Sequence, residues 1–292
     1  MLDPSAYLSF LAQALEEDVG RGDRTTMALV PAGAEGAADL VSHESGVLAG
    51  LSLVEPLVRI LDPGARVEEL VADGSAVGEG TVVAAIRGKA RAILGAERTA
   101  LNVVRHLSGV ATHARRFVDA VRGFKVRVLD TRKTTPGWRD LEKYAVRCGG
   151  AENHRARLDD AALVKENHLI EAFGSTGPAA IREAVARLRT SLPRGMPLLV
   201  EAEDQAEVEA AAEAGADVVL LDGFDVDGLR RAVAWVQALA PPRPLLEATG
   251  GITLEAVRAV AETGVDRISV GAITHSAPAL DLSIRHRARP PA

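Results

Sequence analysis

Five basic residues gather near the ends of two short apolar runs in the middle of the chain. They are Arg132, Lys133, His154, Arg155 and Lys165. The first two follow the run Val126–Leu129, the last follows Ala162–Val164, and the other two lie between the runs. A single basic residue is usually solvated or ion-paired. Several cations at one place repel each other unless an anion binds, so the grouping predicts a pocket for a polyanion.

Two acidic residues occupy the same kind of position after the next two apolar runs. Glu201 follows Leu198–Val200, and Asp222 follows Val218–Leu221. Carboxylates at neighbouring strand ends can hold sugar hydroxyls or bind Mg²⁺, and they can also neutralise nearby cations. Paired carboxylates also serve glycoside hydrolysis, but that chemistry needs no cluster of lysines and arginines. We therefore predict that Glu201 and Asp222 face each other across adjacent strand positions in one pocket and place Mg²⁺, directly or indirectly.

The last two apolar runs end in glycine-bearing sequences. Glu247-Ala248-Thr249-Gly250-Gly251 follows Leu245–Leu246, and the run Ile268–Val270 continues into Gly271-Ala272. Backbone N–H groups beside glycine can approach an anion closely, and many barrels bind phosphate after their last two strands. Either sequence alone could be an ordinary turn. Because both occur at adjacent terminal runs, they predict a phosphate site.

The elements that would position these residues follow from the alternation of apolar runs with helical segments after residue 126. Helical spacing is present at 206–214, before Gly215, and at 254–261, before Gly264. Such alternation is typical of βα units around a parallel sheet or barrel, an α/β fold. In a β/α barrel the carboxyl ends of the strands converge on one mouth, which would bring the charged residues together.

The first hundred residues have a different pattern, which predicts a small α+β domain. A helix at Tyr7–Glu17 precedes strand-like runs separated by turn residues. The runs are Ala38–Ser42, Gly46–Ala49 and Thr81–Ile86. An amphipathic helix from Glu97 to about Val121 is expected to carry the domain junction. We predict domains at 1–110 and 111–276, with 277–292 packing back on the first and ending in a disordered tail.

Composition excludes several classes of protein. A chain of 292 residues with 47% apolar content can bury a large core, so it is neither disordered nor fibrous. No apolar run reaches the roughly 18 residues of a membrane span, and the N-terminal residues lack signal-peptide features, so we expect a cytoplasmic protein. With 3% aromatic residues and a net charge of −6, nucleic-acid binding is not expected. The single cysteine, Cys148, lacks a base partner in sequence and is interpreted as a packed residue.

The order and spacing of the motifs are specific to one enzyme family. The central motifs are Asp130–Gly137, Glu142–Ala145, Gly149-Gly150, Asn153–Arg155 and Lys165–His168. Further motifs are Glu16–Asp18, Gly22–Thr26, Glu97–Thr99, Glu201, Leu221-Asp222 and Ser269–Ala272. Together they resemble the quinolinate phosphoribosyltransferases (decarboxylating), also called nicotinate-nucleotide pyrophosphorylases, over nearly the whole chain.

The resemblance implies a fold, an assembly and a reaction. The fold would be an N-terminal α+β sandwich domain followed by a C-terminal open or incomplete β/α barrel. The active site would be completed by a neighbouring subunit, in a homodimer at least and possibly a hexamer. The enzyme would transfer phosphoribosyl from phosphoribosyl pyrophosphate to quinolinate with Mg²⁺, giving nicotinate mononucleotide, CO₂ and pyrophosphate for NAD biosynthesis.

Carried over residue by residue, the resemblance also implies individual roles. The residues that would bind the two quinolinate carboxylates are Arg132, His154, Arg155 and Lys165, with Arg98 from the partner chain. Lys133 would lie near the diphosphate, and Glu201 and Asp222 would hold the ribose hydroxyls. The 5′-phosphate would lie on Thr249-Gly250-Gly251 and Gly271-Ala272. Thr131 and Val270 complete the predicted binding set, and the residues with a catalytic part would be Lys133, Lys165, Glu201 and Asp222.

Two departures from the family pattern leave alternatives open. Gly223 stands where an asparagine is usual, and Ala248-Thr249 stands where a serine normally precedes the glycines. Three competing interpretations stay open. The chain could be a related molybdenum-operon phosphoribosyltransferase that acts on another acceptor, a transferase that does not decarboxylate, or a non-catalytic binding protein. A structural hydrogen bond is expected for His168. His43, His106, His113, His275 and His286 are expected to pack or lie at the surface.

Overall fold

The computed structural model describes residues 2–288. The helices are α1 Leu8–Val19, α2 Arg24–Leu29, α3 Val54–Leu61, α4 Ala90–Ala120, α5 Arg139–Cys148, α6 Glu166–Phe173, α7 Pro178–Ser191, α8 Gln205–Glu213, α9 Val226–Gln237, α10 Val257–Ala261 and α11 Ala272–His275. The strands are β1 Glu35–Ser42, β2 Gly46–Val47, β3 Arg66–Glu69, β4 Ala76–Val77, β5 Val82–Lys89, β6 Arg127–Leu129, β7 Ala162–Val164, β8 Leu198–Ala202, β9 Val218–Asp222, β10 Leu245–Thr249, β11 Arg267–Ser269 and β12 Leu282–His286. Most of the predicted disordered tail, 289–292, lies outside the described residues.

The chain divides into two compact units, and the first is built on an antiparallel sheet. It contains the residues up to 115, the segment 144–150 and the residues from 277 onward. The sheet has the order β12-β1-β5-β3, and a second pair joins β2 to β4. Strand β12 pairs with β1 from Ala38↔His286 to Ser42↔Leu282, so the C-terminal segment is an edge strand of this sheet. The predicted α+β character of the N-terminal part is confirmed.

Several short elements of this unit were not predicted from the sequence. Helix α3 was missed although Pro56 lies in its first turn, where a missing N–H breaks no helical hydrogen bond. Helix α2 has six residues and begins at a cap: the Asp23 carboxylate accepts the N–H of Thr26 at 2.9 Å. Helix α4 begins at Ala90, earlier than the predicted Glu97.

The second unit is a six-stranded parallel sheet with helices between the strands. It contains residues 116–143 and 151–276, with strand order β6-β11-β10-β9-β8-β7. All six apolar runs predicted as strands fall on β6 to β11, and β7 matches its run at both ends. Most residues of β8 and β9 are buried, as expected for strands covered on both faces. The predicted α/β fold is confirmed.

The sheet of the second unit curls so that its carboxyl ends meet. Residues at the ends of all six strands line one cavity, which a flat sheet of this width would not allow. The two edge strands, β6 and β7, form no pair with each other in the described part of the chain. This arrangement is consistent with the predicted open β/α barrel.

Candidate active site

A cavity of about 360 Å³ lies at the carboxyl ends of the strands of the second unit. Its lining residues are Thr131, Arg132, Lys133, His154, Arg155, Leu163, Lys165, Glu201, Leu220, Asp222, Glu247, Thr249, Gly250 and Ser269. Most of the predicted site residues are in this set. Gly251, Val270, Gly271 and Ala272 lie outside it, and Arg98 is exposed on α4 of the first unit. The structure therefore brings the predicted cations and carboxylates together in one place.

Lys165 and Glu201 join two neighbouring strand ends. Lys165 Nζ lies 2.9 Å from both Oε1 and Oε2 of Glu201. The backbone N–H of Lys165 donates to Nδ1 of His168 at 3.0 Å, which is the structural hydrogen bond expected for that histidine. This contact fixes the start of α6, so the lysine projects from a defined point rather than from a free loop.

Two guanidinium groups lie close together in the cavity wall. Arg155 Nη1 donates to the carbonyl of Ala161 at 2.8 Å, which orients the side chain. Burial, followed by repulsion from Arg132, lowers the pKa of Arg155. Arg132 Nε is buried and finds no acceptor among the described residues. Two cations with donor capacity to spare form a site for a carboxylate or phosphate.

A buried ion pair below the cavity holds the loops that carry these arginines. Lys143 Nζ donates to Asp130 Oδ1 at 2.6 Å, with both side chains almost fully buried. Asp130 also accepts the backbone N–H of His154 at 2.8 Å and Nδ2 of Asn153 at 2.7 Å. Burial raises the pKa of Asp130 and lowers the pKa of Lys143, while their contact opposes both shifts. The network ties the end of β6 to the loop before β7.

Arg139, at the start of α5, fastens the same loops from outside the cavity. Its Nε donates to Thr134 Oγ1 at 3.0 Å. Its two terminal nitrogens donate to the carbonyls of Ala156 at 3.2 Å and Arg132 at 3.3 Å. The sequence analysis did not single out Asp130, Lys143 or Arg139 as site residues. All three act on backbone and side-chain positions of neighbours rather than on the cavity itself.

Asp222 lies closer to the mouth of the cavity than Glu201. Glu201 pairs in register with Leu220, so Asp222 lies one side-chain layer further along β9. The two carboxylates are therefore offset rather than directly opposite, which corrects the expectation that they face each other. They still line the same cavity.

The residue at position 250 packs against Asp222 and has a backbone conformation that favours glycine. Gly250 has φ +89°, and a side chain there would overlap Asp222 Oδ1. Gly223, the departure from the family pattern, has φ +72° with open space around it. Asparagine is one of the few other residues that tolerate this conformation, so the backbone can have the same shape with either residue.

The loop after β11 brings Lys133 and His275 to Gly271. A methyl group added at Gly271 would lie 3.1 Å from Lys133 Cδ and 3.2 Å from His275 Nε2. Thr274 Oγ1 donates to the Lys133 carbonyl at 2.7 Å. His275 is exposed, as expected for a residue that packs or lies at the surface, and its ring also lies beside Gly271. Its position one helical turn after Gly271 was the available signal.

Glu247 lies on the floor of the cavity. The sequence analysis placed it after a strand ending at Leu246, but β10 continues to Thr249, so Glu247 lies within the strand and is fully buried. His154 Nε2 is 3.4 Å from its Oε1, and Arg267 Nη1 is 4.0 Å from its Oε2.

Metal-binding clusters and membrane-spanning helices are both absent from the part of the chain that the structure describes. Within residues 2–288, no group of three or more His, Cys, Asp or Glu side chains is arranged to hold a metal ion. Over the same residues, none of the helices is both long and apolar enough to cross a membrane. Glu201 and Asp222 both line the cavity, and one or two carboxylates are what Mg²⁺ commonly uses when substrate phosphates supply its other ligands.

Two family models match the chain along most of its length. Residues 23–108 match the N-terminal domain of quinolinate phosphoribosyl transferase, and residues 110–285 match its C-terminal domain. The chain belongs to the quinolinate phosphoribosyl transferase family. The resemblance seen in the motifs is confirmed, and the match covers both units of this family member.

Curated relatives and solved structures agree with that membership. The chain is 43% identical to the probable nicotinate-nucleotide pyrophosphorylase [carboxylating] of Synechocystis sp., over 94% of this chain and 91% of the relative. It is 41% identical to the nicotinate-nucleotide pyrophosphorylase [carboxylating] of Mycobacterium leprae, over 94% of this chain and 95% of the relative. The crystal structure of NadC from Streptococcus pyogenes superposes with a TM-score of 0.90 at 35% identity, covering 98% of this chain and 97% of the other.

Proposed function

We infer that this chain transfers the phosphoribosyl group of phosphoribosyl pyrophosphate to quinolinate with decarboxylation. The products are nicotinate mononucleotide, CO₂ and pyrophosphate, which places the reaction in NAD biosynthesis. The observation that carries this inference is the cavity in which Arg132, Arg155 and Lys165 converge opposite the carboxylates of Glu201 and Asp222. Relatives at 41–43% identity that bear the name nicotinate-nucleotide pyrophosphorylase [carboxylating] support it.

The substrates themselves supply the reactive groups. The pyridine nitrogen of quinolinate attacks the anomeric carbon of the ribose, and the bond to pyrophosphate breaks with its electron pair leaving on pyrophosphate. The ring is then a cation, so the C2 carboxylate can leave as CO₂ while its electron pair stays on C2. A proton from water completes the product. No protein nucleophile is needed, and the cavity acts by orientation and electrostatics.

The arginines and the lysine would orient the dicarboxylate. Arg132 and Arg155 can each offer a fork of N–H donors, and Lys165 adds a point charge that Glu201 already holds in place. His154 lines the same cavity, and its contribution at these carboxylates is proposed to come through the Arg155 backbone, whose N–H its Nδ1 accepts. Binding the C2 carboxylate too strongly in the ground state would slow its loss, so holding the nitrogen near the sugar carbon matters more than affinity.

The opposite side of the cavity would receive phosphoribosyl pyrophosphate. Glu201 and Asp222 would hold ribose hydroxyls and help to place Mg²⁺, and each carboxylate oxygen of Glu201 can accept a further hydrogen bond beside that from Lys165. The 5′-phosphate would lie on the glycine loops after β10 and β11. Lys133 would lie at the diphosphate. Mg²⁺ bound with the pyrophosphate would neutralise charge that develops on the leaving group.

A second subunit is part of the proposal. Arg98 is exposed on α4 and is proposed to reach the cavity of a partner chain in a homodimer or a higher assembly such as a hexamer. Mixing two inactive variants, Arg98→Ala and Lys165→Ala, should then restore activity, because a mixed dimer contains one intact site. Mixtures that stay inactive despite subunit exchange would overturn the shared site. The cytoplasmic location also remains a prediction.

The acceptor is tested by supplying quinolinate and nicotinate in parallel. Purified protein with Mg²⁺ and phosphoribosyl pyrophosphate should form nicotinate mononucleotide from quinolinate and not from nicotinate. Product from nicotinate alone would favour a transferase that does not decarboxylate. Tight binding of phosphoribosyl pyrophosphate without product from either acceptor would favour a relative with another acceptor or a binding protein.

A further inference from the structure

Glu247 is a buried acidic group beneath a cavity that is otherwise built for anions. Its side chain is fully buried, and neither carboxylate oxygen makes a hydrogen bond with the described residues. Burying a carboxylate without hydrogen bonds is costly, and such groups in native structures call for an explanation. A negative charge on the floor also opposes the binding of an anionic substrate. The presence of a glutamate at position 247 is therefore explained neither by protein stability nor by attraction of an anionic substrate.

The imidazole of His154 lies nearer to Glu247 than the guanidinium of Arg267 does, and one side of that ring is held by the backbone. Nδ1 accepts the backbone N–H of Arg155 at 2.9 Å. Because Nδ1 is an acceptor, the proton of the neutral ring lies on Nε2. Nε2 points toward Oε1 of Glu247 at 3.4 Å. Nε2 and Oε1 are both buried and neither makes a hydrogen bond in the described part of the chain, so at 3.4 Å the carboxylate is the negative charge that the ring N–H faces.

We propose that Glu247 is a positioning residue that acts through His154 on the carboxylate-binding arginine, Arg155. The negative charge of the carboxylate favours the ring orientation and the tautomer that present Nε2–H to it. The imidazole in turn holds the Arg155 backbone through Nδ1, and the Arg155 side chain is fixed at its other end by the Ala161 carbonyl. The proposal rests on the proposed function, since quinolinate is the ligand that the aligned groups would receive.

Arg267 makes the buried charge tolerable from the other side. Its Nη1 lies 4.0 Å from Oε2 of Glu247, and the two residues are paired in register on β11 and β10. The separation is too long for a hydrogen bond, so Arg267 supplies charge compensation without tying the carboxylate down. Arg267 therefore leaves Oε1 of Glu247 available to the ring of His154.

The test compares Glu247→Gln with wild type in steady-state kinetics for each substrate. Loss of the charge alone would favour anion binding and lower the KM values of both substrates. Loss of positioning should instead reduce kcat/KM for quinolinate about tenfold, a typical scale for a carboxylate that orients a functional histidine. The KM for phosphoribosyl pyrophosphate should stay near the wild-type value. Glu152→Gln, an exposed glutamate on the same unit, is the matched control and should behave as wild type.

A double-mutant cycle separates this route from a general structural effect. In a His154→Ala background, Glu247→Gln should cost nothing further, because its target is already absent. Full additivity of the two substitutions, or an equal loss for both substrates, would overturn the proposal. The isosteric glutamine should also leave the thermal midpoint unchanged or higher, since an incompletely paired buried charge is replaced by a neutral group.

A measurement on the wild-type protein keeps the proposal testable if the variants do not fold. Nitrogen NMR of the His154 ring should show the Nε2–H tautomer in the neutral state, and an Nδ1–H tautomer would overturn the proposal. Wild-type turnover of quinolinate is measured alongside. If wild-type protein does not turn over quinolinate, the proposed function is contradicted, and the tautomer of His154 alone then tests the role of Glu247. If wild-type turnover is normal and Glu247→Gln is unaffected, only the proposal for Glu247 is contradicted.

Discussion

Lys165 Nζ lies 2.9 Å from both carboxylate oxygens of Glu201, so one lysine links the ends of β7 and β8 inside the cavity. The pair places a cation beside the predicted quinolinate site and a carboxylate beside the predicted ribose site. In the proposed function, the pair would thereby fix the position of quinolinate relative to the ribose that it attacks. Each group also prevents the other from presenting an uncompensated charge to the cavity.

Lys165→Ala should lower kcat/KM for quinolinate by about 100-fold or more, the range seen when one pre-placed electrostatic contact is removed from an active site. The matched control is Lys125→Ala, because Lys125 is an exposed lysine on the same unit. The measurement is the steady-state kcat/KM for quinolinate of each of the two variants. Near-normal turnover by Lys165→Ala would contradict the role assigned to this residue.

Arg132→Lys should raise the KM for quinolinate about tenfold, although the charge is retained. The buried Nε of Arg132 and its planar fork can meet a carboxylate with two hydrogen bonds, which an ammonium group cannot reproduce. The KM for phosphoribosyl pyrophosphate should change little. Arg122→Lys, at a highly exposed arginine of the same unit, is the control. Equal behaviour of the two lysine variants would show that only charge matters at Arg132.

Asp130→Asn should destabilise the protein by about 3–5 kcal/mol, because it leaves the Lys143 ammonium group buried opposite a neutral amide. Urea unfolding measures the change. Arg182→Ala breaks the exposed pair with Glu213 and should cost less than about 1 kcal/mol. A loss for Asp130→Asn as small as that of the control would mean that the buried pair does not hold the site loops.

Gly250→Ala should impair binding of phosphoribosyl pyrophosphate and raise its KM, because the added methyl group would push against Asp222. Gly195→Ala is a matched control: Gly195 has a similar positive φ of +82° and open space around it. Both variants carry backbone strain of about 1–2 kcal/mol. A similar KM in the two variants would show that the contact with Asp222 is unimportant.

Cys148 should react slowly with iodoacetamide at pH 8 in the folded protein. Burial, together with the Asp73 carboxylate, raises the pKa of this thiol, although a hydrogen bond with Tyr144 opposes the shift. The thiolate is the reactive form, so its small fraction at pH 8 should grow as the pH rises. The same chain in urea is the control and should react faster. Equal rates in the two states would contradict the interpretation of Cys148 as a packed residue.

The sequence predicted the parallel strands well because each is a short apolar run followed by polar residues. Four of the six residues that directly follow those runs line the cavity, namely Lys165, Glu201, Asp222 and Glu247, and β7 was predicted at both ends. Local pattern is sufficient there, since the carboxyl ends of parallel strands share one edge. The motifs then named the family, because their order and spacing leave few alternatives.

Long-range pairing explains what the sequence analysis missed. Glu247 seemed to follow a strand, but pairing between β10 and β9 continues to Thr249↔Asp222 and draws the carboxylate into the interior. The contact between Asp130 and Lys143 depends on how α5 lies below β6. Helix α11 has only four residues, so the spacing from Gly271 to His275 was the one sign of their contact that the sequence contained.

The most direct test of the account uses quinolinate labelled in its C2 carboxyl group. Purified protein is incubated with this substrate, Mg²⁺ and phosphoribosyl pyrophosphate, and labelled CO₂ and nicotinate mononucleotide are measured together. We expect one labelled CO₂ for every mononucleotide formed, and no labelled CO₂ when phosphoribosyl pyrophosphate is omitted. Mononucleotide without labelled CO₂, or labelled CO₂ released without phosphoribosyl pyrophosphate, would contradict it.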